Sequence, residues 1–138
     1  DPQTRKNVWD TVKRIREEKD VTIFFTTHYM EEAENADFVV VIDEGKIAAE
    51  GTPVKLKAKY SFDTLHLIYK DRDTLWRRLK ESDMSFEEKS ERFVIELAET
   101  LDALPIVEKY RDDILDFEVR TGTMDDAFIG ITGKELRE

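Results

Sequence analysis

Apolar positions along the chain follow two periods. From Gln3 to Glu18 they fall at Val8, Trp9, Val12 and Ile15, one face of a helix, with Lys6, Lys13, Arg14, Glu17 and Glu18 largely off it. Asp1-Pro2 stands where that helix begins, since Asp caps free backbone N–H groups and Pro tolerates the first turn. Val21–Phe25 is an unbroken apolar stretch that predicts a strand covered on both faces, ending at Thr26-Thr27-His28. Tyr29–Ala36 predicts a short helix, and Phe38–Ile42 a second apolar strand. Asp43-Glu44-Gly45-Lys46 is a tight turn into a returning strand, Lys46–Glu50. Gly51-Thr52-Pro53 opens a helix through Lys59, with Thr52 as its cap.

Beyond Tyr60 the pattern changes to alternation. Strands are predicted around Phe62, Leu65, Leu67, Ile68 and Tyr69, over Met84–Glu88, over Glu91–Leu97 and over Ile114–Val119. Helices are predicted over Asp73–Glu81, Thr100–Tyr110 and Thr123–Ile131, with Pro105 disturbing the second or marking a later start. Thr123 with Asp126 forms a helix-start signal. Strand, helix, strand, strand, helix, strand predicts a small α+β sandwich of ferredoxin-like type. The helix–strand alternation of residues 1–60 predicts part of a parallel α/β sheet, too small to cover two buried-type strands. The expected domains are therefore 1–60 and 61–138.

Composition narrows the function classes. The 138 residues carry 22 Lys and Arg against 32 Asp and Glu, a net charge of −10. Residues 1–60 are near balance at −2, while 61–138 carry −8. Such acidity argues against nucleic-acid or anionic-membrane binding, which needs clustered cations. With no Cys, disulfides and thiolate metal sites are excluded. The longest apolar run, Phe38–Ile42, is far too short to cross a bilayer.

His28 is the leading candidate for chemistry. At the carboxyl edge of a presumed parallel sheet it could donate to a phosphate or exchange a proton near neutrality, with Thr26 and Thr27 adding hydroxyls. The competing reading is a capping or packing histidine. Glu31, Glu32, Glu34 and Asp37 invite a metal reading, but they lack His or Cys partners, and a solvated helix face needs carboxylates as well. Asp1 serves as a helix cap or contacts a ligand or partner. His66, inside an alternating segment, is expected to face solvent or an edge. Trp9, Phe24, Phe25 and Phe38 fit core positions. No glycine-rich phosphate loop, dinucleotide fingerprint or nucleophile elbow is present.

Asp1-Pro2-Gln3-Thr4-Arg5 with its helix, then VTIFFTTHYMEEAENADFVVVIDEGKIAAEGTP, resembles the carboxyl-terminal part of the ATP-binding subunit of an ABC transporter, over residues 1–59. The resemblance implies that Asp1 is the Asp of the D-loop, aligning two subunits, and that His28 is the switch histidine contacting the γ-phosphate. The acidic residues Glu31–Glu34 then become a helix surface. In the family a Walker A loop, a glutamine loop, a signature motif and a Walker B strand precede the D-loop. None is present here, so a fragment of a larger ATPase is expected, with unpaired strand edges open to self-association. ATP and Mg²⁺ are implied for the full-length protein, with neither bound tightly by this chain. A transmembrane permease and a second ATP-binding subunit are the implied partners, and the implied location is cytoplasmic, on the inner face of the membrane. Residues 61–138, ending TMDDAFIGITGKELRE, are similar to the accessory domain on ATP-binding subunits of multidrug, antibiotic or ion exporters. A non-enzymatic domain acting through protein contacts is the alternative.

Overall fold

The computed structural model describes residues 1–133. The last five residues of the TMDDAFIGITGKELRE ending lie outside them. Helix α1, Pro2–Lys19, is capped by Asp1, whose carboxylate accepts Gln3 N–H, and it ends at Asp20 in the left-handed region. Residues 21–29 form neither helix nor strand and join no sheet. Helix α2, Met30–Ala33, is a single turn. Strands β1, Val39–Asp43, and β2, Lys46–Gly51, form an antiparallel ribbon. Its two loop residues, Glu44 and Gly45, both have positive φ, the conformation that matches the twist of a two-residue hairpin. Helix α3, Pro53–Tyr60, starts at Thr52, whose hydroxyl accepts Lys55 N–H.

Two expectations for this half are corrected. Val21–Phe25 forms no ladder, and no parallel pairing links it to β1 among the described residues. A strand needs a neighbour's backbone groups, and among the described residues none pairs with this segment. Phe24, 89% exposed, and Phe38, 59% exposed, are not core residues, because the described residues leave both largely uncovered. Trp9 and Phe25 do meet, edge to face at 4.8 Å.

The second half is built around β3, Asp63–Tyr69. It is followed by α4, Arg72–Glu81, β4, Glu87–Lys89, and β5, Arg92–Leu97. A 3-10 turn at Thr100–Asp102 then leads into α5, Ala103–Tyr110, with Pro105 in its first turn, where no intrahelical N–H is lost. The chain continues into β6, Ile114–Arg120, and α6, Met124–Thr132. The four strands form one antiparallel sheet in the order β4-β5-β3-β6. One face of it packs Leu65, Leu67, Phe93, Ile95 and Leu97 against Leu75 and Leu79 of α4 and Ala103 and Tyr110 of α5. Burying such aliphatic and aromatic side chains supplies most of the domain's stabilisation.

His66 is corrected as well. It is 7% exposed, neither at an edge nor facing solvent. Strand β3 is central, so His66 lies between Val94 and Glu118 on its neighbours. Glu118 bridges Arg92 at 3.3 Å and Arg120 at 2.9 Å on this side of the sheet.

The last helix returns to the first half. Met124 and Ala127 of α6 share a small core with Met30 and Ala33 of α2, Ala49 of β2 and Leu56 of α3. Thus one core draws on residues 65–114, and the other joins residues 30–56 to Met124 and Ala127 of α6.

Candidate functional site

His28 lies beyond the Val21–Phe25 segment, exposed, two residues before α2. It neither packs in a core nor caps the helix: the N-cap is Tyr29, which makes no side-chain cap bond. The loop that carries it is held by its neighbours. The Thr27 hydroxyl accepts Tyr29 N–H at 2.9 Å and donates to Glu32 at 2.5 Å. Such a side-chain turn fixes the backbone on either side of His28 without a regular ladder.

A stack continues from there to α1. The His28 ring lies 4.2 Å from the Tyr29 ring, and the Arg5 guanidinium lies 4.3 Å above the other aromatic partner's centroid, that of Tyr29. Arg5 Nε is 3.5 Å from Glu32 Oε1. A cation over an aromatic face is attracted by the ring quadrupole, so Arg5 ties α1 to the histidine segment by two interactions. The sequence pattern singled out Glu32 as a candidate metal ligand and gave no sign of its pairing with Arg5 or of the Arg5–Tyr29 stack. The opposite charges of Arg5 and Glu32 were visible, but their meeting depends on how α1 lies along residues 23–32.

A groove of about 480 Å³ runs between α1 and residues 23–26, lined in part by Asp1, Arg5, Trp9, Phe25, Thr26 and Glu32. Asp1 and Thr26 are thereby brought to one surface, while His28 lies outside the lining. The Asp1 carboxylate is occupied locally, accepting Gln3 N–H at 3.0 Å and the Thr4 hydroxyl at 3.1 Å.

The acidic residues diverge. Glu32 turns to Thr27 and Arg5, Glu34 to Lys57 and the start of α6, and Asp37 to Arg16 at 2.8 Å. Among the described residues no group of three or more His, Cys, Asp or Glu could hold a metal ion. The residues present do not fit a nucleotide triphosphate by themselves. One exposed imidazole and a cap carboxylate offer no cradle of backbone N–H groups and no lysine for the phosphates.

No protein-family model matches the chain. It is 55% identical over 53 residues to the energy-coupling factor transporter ATP-binding protein EcfA1 of Clostridium novyi, covering 38% of this chain and 19% of that protein. It is 41% identical over 80 residues to EcfA of Methanosarcina acetivorans, covering 58% of this chain and 29% of that protein. It is 28% identical over 144 residues to the daunorubicin resistance ATP-binding protein DrrA2 of Streptomyces coeruleorubidus, covering 96% of this chain and 44% of that protein. The chain is homologous to the ATP-binding subunits of ABC and energy-coupling factor transporters, and it spans less than half the length of these relatives.

Proposed function

Starting from that homology, we propose that the chain is the carboxyl-terminal part of a transporter's ATPase subunit. Residues 1–60 are the end of its nucleotide-binding domain, an incomplete P-loop-type sheet, and residues 61–138 its accessory domain. His28 is the group that meets the terminal phosphate, and Asp1 lies at the interface with a second ATP-binding subunit. The phosphate cradle and the Mg²⁺ ligands belong to residues this chain does not contain. The whole protein hydrolyses ATP to drive export through a membrane permease, from the cytoplasmic face. Among the described residues no helix is long and apolar enough to cross a membrane, which fits a subunit that leaves the crossing to its partner.

The observation that carries this reading is the exposed imidazole of His28, presented just beyond the apolar Val21–Phe25 segment in a loop fixed by Thr27 and Glu32. Export, rather than uptake, is favoured by the daunorubicin resistance relative, whose match covers 96% of this chain against 38% for the EcfA1 protein. The accessory domain is read as ferredoxin-like because its elements run β-α-β-β-α-β and its strands lie in the order β4-β5-β3-β6. In the intact subunit, His28→Ala is expected to lower turnover about a hundredfold while ATP still binds, the scale of losing one donor at developing charge. Unchanged turnover rejects the assignment. For the isolated chain, titration calorimetry with ATP is expected to give no tight binding.

A further inference from the structure

The segment carrying His28 is anchored from an unexpected direction. Residues 21–29 join no sheet, and α2 has two buried residues, Met30 and Ala33. Both go into the core that contains Met124 and Ala127 of α6. Glu34, at the carboxyl end of α2, reaches the same helix. Its Oε1 accepts Met124 N–H at 3.2 Å, at the first turn of α6, where a carboxylate also complements the helix dipole. Lys57 of α3 pairs with that carboxylate at 3.4 Å. On its far side α6 is pressed against α3: a Cβ on Gly130 would lie 2.3 Å from the Tyr60 carbonyl oxygen. At its near end, the Asp63 carboxylate at the start of β3 accepts Gly122 N–H at 3.0 Å. So α6 is held at one end by the four-stranded domain and at its side by α2.

We propose that α6 is a positioning element through which the accessory domain sets the placement of His28, with Glu34, Met124 and Ala127 as positioning residues. A shift of β6 or of the Asp63–Gly122 contact moves α6. Because α2 has its buried anchors there, the loop that carries His28, two residues upstream, moves with it. A partner that grips residues 63–120 thereby gains a mechanical route to the histidine. The consequence for turnover rests on the reading of His28 given above; the coupling itself does not.

The test uses this chain and no nucleotide, so it succeeds or fails independently of the phosphate assignment. Gly130→Ala wedges α6 from α3 without touching α2, and Glu34→Gln weakens the cap at the surface without disturbing either core. Amide exchange and the His28 ring proton shifts are followed by NMR across a pH titration. Both variants are expected to speed exchange at Glu32, Ala33 and Glu34 about tenfold and to shift the His28 ring signals, with the amides of β3 and β5 unchanged. If the α2 amides and the His28 ring signals match the parent in both variants, the coupling is overturned.

Discussion

Nε2 of His66 lies 3.0 Å from the Thr64 hydroxyl, one step along the same face of β3. The other ring nitrogen, Nδ1, is buried with no hydrogen-bond partner among the described residues. Burial, followed by the positive charges of Arg120, Arg92 and Lys89, lowers the His66 pKa below its ordinary 6.5, with Glu118 opposing. The folded state therefore favours neutral imidazole.

That preference predicts a pH-dependent stability. Below about pH 6.5 the unfolded chain takes up this proton before the folded one does, so falling pH favours unfolding. The penalty grows as pH drops from 6.5 towards the lower folded value, is constant below it, and is absent above 6.5. Thermal melts of the chain and of His66→Val are expected to show a steeper loss of stability for the parent as pH falls below 6.5. Parallel curves would remove His66 as the cause.

Leu65 is wholly buried at the centre of the four-stranded core. Leu65→Ala removes its contacts and leaves a cavity, at a cost of about 2–5 kcal/mol. Urea denaturation is expected to show a lower midpoint with an unchanged slope.

At Gly122 the backbone passes against residues 61 and 62. A Cβ there would lie 2.0 Å from Ser61 Oγ, 2.8 Å from Ser61 Cβ and 3.1 Å from the Phe62 carbonyl oxygen. Gly122→Ala is expected to destabilise the chain by about 1–3 kcal/mol through overpacking. Adding Ser61→Gly removes two of the three clashes and is expected to recover part of the loss, measured by the same unfolding midpoint.

The Thr123–Asp126 capping box is formed in both directions, each side chain accepting the other residue's N–H. Thr123→Ala is expected to cost about 1 kcal/mol, and amide exchange in the first turn of α6 should rise ahead of the rest of the helix.

Much of the local structure was legible because helix caps and apolar periods act over three or four residues. Asp1, Thr52 and Thr123 each start the helix that their side chains announce. The Glu44-Gly45 turn and the alternation of β3, β5 and β6 were equally readable. Val21–Phe25 has the residue types of a strand, yet pairing needs a neighbour, and composition within five residues carries no information about one. His28 stood out by its position after that segment, but the Arg5–Tyr29 stack beside it did not.

Hydrophobic spacing and turn chemistry thus set which segments coil, extend or bend, since those preferences are local. The folded arrangement assigned the partners. It buried His66 between Val94 and Glu118, distant in sequence, and it gave the Glu34 carboxylate to Met124, 90 residues further on. Such contacts arise only when the whole chain is packed, because burial and ion pairing depend on what the other elements bring alongside.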